Sequence, residues 1–299
     1  MTAPSAVRIA AHAKVNLFLR VLARESDGYH GIETLFCLLD LSDELTVERR
    51  DRSNGITLEV TGADTGPIEQ NLAVRAARLV LDATSACVGV HLRLLKRIPV
   101  QAGLGGGSSD AAAALAAVNL IAGSAVPRHE LLQFAARLGA DVPFFFANAP
   151  LALGWGHGER MMRLAPLPAA PALLVVPPVP VPTADAYRWV DETAREGTRR
   201  GAVALDADVL RSWGDVARMA GNDFEAAVFG RHQPVRAAFE TLVRTGPLLC
   251  RMTGSGSTLL AVYRSPRDRD DAAMHLGRKH GAVLPVQTLA AVPAAPEVR

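Results

Sequence analysis

Pro99-Val-Gln-Ala-Gly103-Leu104-Gly105-Gly106-Gly107-Ser108-Ser109-Asp110 is the stretch on which the reading of this sequence turns. It runs directly into an alanine-rich segment, Asp110 to Ile121, of high helix propensity. Closely spaced glycines let backbone N–H groups crowd around one anion with no Cβ in the way. A helix that follows adds unpaired N–H groups and the positive end of its dipole. Ser108 and Ser109 bring hydroxyls within reach of a phosphate oxygen or a metal ion. The plainer alternative is a flexible loop in which Ser109 or Asp110 does no more than cap the helix. A linker has no reason to sit so tightly between a strand and a helix, which favours phosphate binding. The loop lacks the Gly-Lys-Ser/Thr ending of a Walker A motif and the glycine register of a dinucleotide fold. A phosphate loop of a third kind is expected.

Upstream, Val7 to Leu22 reads as strand, and His12, Lys14 and Asn16 alternate onto one face. Asp27-Gly28-Tyr29-His30 signals a turn. Leu35 to Leu41, Glu44 to Val47 and Ile56 to Val60 are further strands, a helix begins near Asn71, and Val88 to Leu95 alternates as a strand. Downstream, Arg128 to Leu138 is an amphipathic helix ending at Gly139. Leu151 to Leu164 holds two short strands and Leu173 to Val176 another. Helices are expected at Ala184 to Thr193, Val209 to Met219 and Val235 to Thr245. Cys250 to Met252, the loop Thr253-Gly254-Ser255-Gly256-Ser257, Leu259 to Tyr263 and Arg267 to Lys279 form a β-loop-β-α unit. The tail beyond Val292 is expected to be loose, and no fixed-period repeat is found.

A chain of 299 residues accommodates two medium domains, and a break is expected near residue 150. The formal net charge of +2 and the absence of long basic runs argue against nucleic-acid binding. Cys37, Cys87 and Cys250 are odd in number and widely spaced, so reduced thiols in a cytoplasmic protein are expected rather than zinc ligation. Met1 to Ala13 lacks the layout of a signal peptide. The most apolar stretch, Pro166 to Pro182, is too proline-rich to span a membrane as a helix. Lysine occurs only at positions 14, 96 and 279, so each lysine draws notice.

Asp141, in Gly139-Ala-Asp-Val-Pro143 and ahead of Phe144-Phe145-Phe146, is an acid set against apolar bulk. Such a carboxylate can serve as a base or orient a hydroxyl if a cation stands nearby, and Lys14 is the candidate. Locally, Asp141 reads equally as a turn residue and Lys14 as a solvated strand lysine. The late glycine loop, 253–257, is weak alone because hairpins use such residues constantly.

Together these segments resemble the GHMP kinase superfamily. The match is carried by Ala13-Lys14-Val15-Asn16-Leu17, the loop from Pro99 to Ser109, and Met252 to Ser257. Asp27-Gly28-Tyr29-His30 and Gly139-Ala-Asp-Val-Pro143 point to the branch whose acceptor alcohol carries a cytidine diphosphate, on a route to isoprenoid precursors. The resemblance implies an α+β fold of two domains. Residues 1–152 would form a ribosomal-protein-S5-like ATP-binding domain containing a left-handed βαβ unit, and residues 153–299 a ferredoxin-like domain. It implies a cytoplasmic small-molecule kinase using ATP and Mg2+, with Asp141 as catalytic aspartate and Lys14 as its partner. Pro99, Gly103, Leu104, Gly105, Gly106, Gly107, Ser108 and Ser109 would hold the ATP phosphates, with magnesium possible at either serine. Asn71, Leu72 and Lys96 would hold the adenosine. Asn16, Tyr29, His30, Thr183, Tyr187, Gly254 and Ser255 would bind the cytidyl diphosphate substrate, with Tyr187 stacked on the base where the family often has phenylalanine. No nucleic acid or membrane partner is implied, and the chain would act as a monomer or weak homodimer. Kinases of homoserine or mevalonate are the alternatives within the superfamily, and a nucleotide sensor that kept the fold without catalysis is the alternative outside it.

Overall fold

The chain runs into two long antiparallel strands, β1 (Ala6–Arg24) and β2 (His30–Asp51), whose central residues 13–19 and 34–39 are buried on both faces. The computed structural model describes residues 3–24, 28, 30–84, 88–193 and 206–299. The pairing of β1 with β2 shifts register between His12 and Lys14 and again between Asn16 and Phe18. Bulges of this kind re-aim side chains and are common beside active sites. Leu35 to Leu41 and Glu44 to Val47, expected as separate strands, are one strand. The chain stays extended through Asp43 because that buried carboxylate accepts the N–H groups of Arg97 (2.5 Å) and Ile98 (2.9 Å).

A parallel βαβ unit follows: β3 (Ile56–Thr61), α1 (Leu72–Ala83) and β4 (Val88–Leu95). Asn71 caps α1, its Oδ1 accepting the Ala73 N–H at 2.9 Å. Next come α2 (Gly106–Ile121), α3 (Arg128–Leu138) and the single turn α4 (Val142–Phe145). Helix α2 begins four residues before the expected start. Its cap is Gly105 in the left-handed region (φ 69°), with no side-chain cap, so neither Ser109 nor Asp110 serves there. Ala111, Ala113, Ala114 and Ala117 of α2 share a buried core with Ala73, Ala76, Ala77 and Val80 of α1. Small side chains allow these helices to approach closely.

Strands β5 (Leu151–Gly156) and β6 (Arg160–Arg163) return to the first sheet, where β5 pairs with β2. The second sheet starts only at β7 (Pro171–Val176), so a division at residue 152 falls inside β5. After β7 come α5 (Thr183–Thr193), a 3₁₀ turn (Ala207–Arg211), α6 (Trp213–Met219), α7 (Phe224–Arg231) and α8 (Gln233–Val243). The helix expected over Val209 to Met219 is interrupted at Ser212, which caps α6 by accepting the Asp215 N–H at 3.1 Å. The chain then forms β8 (Leu249–Met252), β9 (Leu259–Val262), α9 (Pro266–Leu276) and β10 (Ala282–Gln287). Helix α7 and strand β10 were not expected from the sequence. The sheet order β10-β7-β9-β8, all antiparallel, with helices after its first and third strands in chain order, is ferredoxin-like. The tail is not loose throughout, because β11 (Glu297–Val298) pairs with Val7 and Arg8 of β1.

Beyond that short pairing, the edge of β1 receives loops instead of a strand. Lys14 N–H donates to the Leu104 carbonyl (2.9 Å), Asn16 N–H to Thr253 Oγ1 (2.9 Å) and Leu19 N–H to the Gly221 carbonyl (2.8 Å). Both glycine loops are thereby tied to one strand edge. Cys37 and Cys250 are free and buried, and burial pushes both thiols up, Cys37 to about 12. Cys87 lies outside the described residues. Among the described residues, no helix is long and apolar enough to cross a membrane.

Candidate active site

Where the two loops meet the edge of β1 there is a cavity of about 1030 Å³. Gly103 (φ 74°) and Gly105 are glycine for steric reasons. A Cβ on Gly103 would lie 2.9 Å from the Thr253 carbonyl oxygen, and one on Gly105 would lie 2.8 Å from Lys14 Cγ and 3.1 Å from Phe145 Cζ. The phosphate loop thus packs directly on the late loop and on the stem of Lys14.

Lys14 is only 4% exposed, and its ammonium lies 3.2 Å from Asp141 Oδ2 and donates to Asn16 Oδ1 at 2.9 Å. Asp141 immediately precedes α4, whose Phe144 is buried against Phe36, ring centroids 4.8 Å apart. Its own side chain keeps 32% exposure, so the carboxylate opens to the cavity while its neighbours are anchored. Asn16 is held hard. Its Oδ1 also accepts the Gly254 N–H (3.0 Å) and its Nδ2 donates to Thr34 Oγ1 (2.7 Å).

The far wall is aromatic. His30 stacks on Tyr187 with centroids 5.2 Å apart and planes at 14°, and Tyr187 meets Phe224 edge-on at 4.9 Å. His30 Nε2 is 2.7 Å from Asp191 Oδ1, which fixes the ring. Burial, and secondly the charge of Asp141, push the Tyr187 phenol up to about 12, so it stays a neutral hydroxyl near neutral pH. Thr183 Oγ1 and Ser255 Oγ lie 3.1 Å apart and join α5 to the late loop.

Of the residues singled out in the sequence, Lys14, Asn16, His30, Gly103, Gly105, Ser108, Asp141, Thr183, Tyr187, Gly254 and Ser255 line this cavity. Tyr29 lies outside the described residues. Pro99, Leu104, Gly106, Gly107 and Ser109 belong to the loop and first turn of α2 without lining the cavity, and Asn71 and Leu72 stand at the start of α1 on the other side of that turn. A Cβ on Gly107 would meet Leu72 Cδ1 at 3.7 Å. Lys96 lies beneath the first turn of α2, where a Cβ on Gly106 would stand 3.2 Å from its Nζ. It is buried, bonded to Asp43 and, at 2.7 Å, to Asp110 Oδ2. Burial pushes the Asp110 carboxyl well above the usual carboxylate range against the pull of Lys96, and its Oδ1 has no partner.

Sequence reasoning passed over Asp43, Asp191, Asn222 and Phe224, and weighed Asp110 only as a helix cap. The one signal available for Asp43 was a carboxylate between two expected strands, Leu35 to Leu41 and Glu44 to Val47.

Two family models match the chain, the GHMP kinases N terminal domain over residues 71–148 and the GHMP kinases C terminal domain over 202–282. A 4-diphosphocytidyl-2-C-methyl-D-erythritol kinase of Solibacter usitatus is 40% identical over 86% of this chain and 81% of its own length. One of Symbiobacterium thermophilum is 41% identical over 86% of this chain and 90% of its own. The crystal structure of a 4-(cytidine 5'-diphospho)-2C-methyl-D-erythritol kinase superposes with TM-score 0.78 at 35% identity, covering 94% of this chain and 98% of the other. A homoserine kinase from Cytophaga hutchinsonii, at 18% identity and TM-score 0.69, shares the fold. With its glycine loop, its buried Lys14 and its two-domain α+β architecture, the chain belongs to the GHMP small-molecule kinases, in the family of the 4-diphosphocytidyl-2-C-methyl-D-erythritol kinases.

Proposed function

We propose that this kinase transfers the γ-phosphoryl group of ATP to the 2-hydroxyl of 4-diphosphocytidyl-2-C-methyl-D-erythritol, on the non-mevalonate route to isoprenoid precursors. The observation that carries the proposal is one cavity holding the Lys14–Asp141 pair, with the glycine loop on one wall and the His30–Tyr187 stack on the other. The acceptor hydroxyl lies between Lys14 and Asp141. Its oxygen attacks the γ-phosphorus, the bond from that phosphorus to ADP breaks, and the hydroxyl proton passes to Asp141. Lys14 orients the hydroxyl and balances the charge that builds there. Positioning and electrostatics carry the rate, since phosphoryl transfer asks for little covalent help.

Backbone N–H groups of residues 103–109 and the start of α2 hold the phosphates. Asn71 and Leu72 flank the adenosine, with Lys96 contributing its backbone rather than its ammonium. His30, Tyr187 and Tyr29 hold the cytosine, stacking being suited to a base face. Thr183, Gly254, Ser255 and the second amide hydrogen of Asn16 face the remainder of the substrate. Magnesium fits the donor set in that Ser108 opens a hydroxyl oxygen into the cavity beside the phosphate loop. That is the arrangement expected when magnesium is held mainly by phosphates and water. Bound there, from Ser108 or Ser109, it would neutralise phosphate charge. A cytoplasmic monomer or weak homodimer completes the proposal.

The test is ADP release by purified protein with Mg-ATP and each of three alcohols, the cytidyl compound, homoserine and mevalonate. Turnover confined to the cytidyl compound is expected. Turnover with another alcohol instead would keep the phosphate loop and sink the roles given to His30 and Tyr187.

A further inference from the structure

Asn222 sits just ahead of α7, 7% exposed and outside the cavity lining. Its Oδ1 accepts the Phe224 N–H at 3.0 Å, as a helix cap would. Its Nδ2 does something a cap does not require, donating to the carbonyls of Met252 (2.7 Å) and Gly254 (2.8 Å), which flank Thr253 in the late loop. Gly254 is therefore gripped at both ends, its N–H by Asn16 Oδ1 and its carbonyl by Asn222 Nδ2. Asn16 Oδ1 in turn receives the Lys14 ammonium. A continuous buried chain of hydrogen bonds runs from Asn222 through Gly254 and Asn16 to Lys14, and ends on Asp141.

The same short segment makes three more attachments. Glu225 Oε1 accepts the Met252 N–H at 2.8 Å. Phe224 props Tyr187, the aromatic face of the cavity. The backbone of Asp223 donates to the Leu19 carbonyl at 3.1 Å, joining the segment to β1. The late loop, resting on Gly103, is thus held above the phosphate loop from this segment as well as from Asn16 and Thr183.

We propose that Asn222 is a positioning residue for phosphoryl transfer, registering the acceptor side of the cavity against the phosphate loop through its two bonds to the late-loop carbonyls. The proposal rests on reading the cavity as the site of phosphoryl transfer to a nucleoside-diphosphate-linked alcohol. Its chemical consequence is defined. If the acceptor oxygen is misplaced while ATP remains bound, water becomes the competing nucleophile at the γ-phosphorus, and ADP and inorganic phosphate form without phosphorylated alcohol.

Asn222→Ser separates this role from capping, because a serine hydroxyl still caps α7 but cannot bridge both carbonyls. For Asn222→Ser, kcat should fall at least about tenfold, the penalty expected for a small misplacement of reacting groups. The KM for ATP should stay within about twofold, and ADP should exceed phosphorylated alcohol by at least about twofold. Asn222→Ala should match it in coupling while being less stable. Hydrogen exchange over residues 252–257 should rise in both variants. Asn222→Ser with kcat within about twofold of wild type and equal amounts of ADP and product would leave Asn222 as a cap only and overturn the proposal. Unchanged exchange over 252–257 would overturn it whatever the acceptor. Absence of product from the wild-type protein with the cytidyl alcohol would instead refute the substrate assignment.

Discussion

Gly105→Ala is the substitution whose effect can be worked most directly from distances. The added methyl would stand 2.8 Å from Lys14 Cγ, 3.1 Å from Lys14 Cε and 3.1 Å from Phe145 Cζ. Real Cβ atoms do not tolerate the first of these contacts, so the Lys14 stem must move. It has little room, being 4% exposed and tethered to Asn16 at 2.9 Å and Asp141 at 3.2 Å. The left-handed backbone (φ 69°) costs a non-glycine residue about 1–2 kcal/mol, and overpacking a filled site costs about 1–3 kcal/mol more. A loss of about 2–5 kcal/mol is therefore expected, a drop of several degrees in Tm for a chain of this size. Because the displaced atoms belong to Lys14, kcat should also fall by about ten- to a hundredfold. Gly107→Ala is the control. There the new methyl meets only Leu72 Cδ1 at 3.7 Å, inside a helix, where alanine is favoured over glycine by about 0.5–1 kcal/mol. Paired thermal melts and steady-state kinetics decide the matter. Gly105→Ala with wild-type Tm and kcat, or Gly107→Ala with the larger loss of stability, would refute the steric reasoning.

Asp141→Asn keeps the shape of the carboxylate and removes the proton acceptor, so kcat should fall at least about a hundredfold with a modest change in KM; near-normal turnover would exclude Asp141 as the base. Tyr187→Ala removes the face that stacks on His30 and should raise KM for the cytidyl substrate about tenfold, leaving KM for ATP within about twofold; equal weakening of both would mean that the nucleoside pocket is misassigned. Asp110→Asn tests the cluster around Lys96. The folded-state carboxyl is raised, so whatever stability it contributes is fully present below the ordinary carboxylate range and is lost as pH rises through the raised value. The variant should therefore gain on the wild type between pH 5 and pH 8, by about 1–3 kcal/mol in urea unfolding; a difference independent of pH would exclude titration of Asp110 as its cause.

The glycine loop and its helix were legible because local chemistry dictates them: few other sequences place so many Cβ-free residues ahead of an alanine-rich helix. The helix start was misjudged because Gly105 itself turns the chain, a conformation only the close approach of Lys14 and Phe145 explains. Lys14 and Asp141 could be named as candidates, but not shown to lie 3.2 Å apart, since no local signal joins β1 to the turn before α4. Asp43 looked like a strand break because its partners, Lys96 and the Arg97 and Ile98 N–H groups, come from a distant segment. Asn222 was invisible for the same reason. Strand β10 is apolar in sequence, but Pro285 at its centre argues against a strand, and it is tolerated because only β7 pairs with it.

The burial of Lys14 and Lys96 has a practical corollary in surface chemistry. The chain has three lysines, and two of them are almost fully buried, Lys14 in the wall of the cavity and Lys96 beneath the phosphate loop, leaving Lys279, beyond α9, as the one exposed lysine. Amine-directed dyes, cross-linkers and supports would thus meet a single lysine address on the folded molecule, remote in sequence from both glycine loops. The same reagents become a clock for opening: reaction at Lys96 reports exposure of the Asp43–Asp110 cluster, while reaction at Lys14 reports access to the cavity.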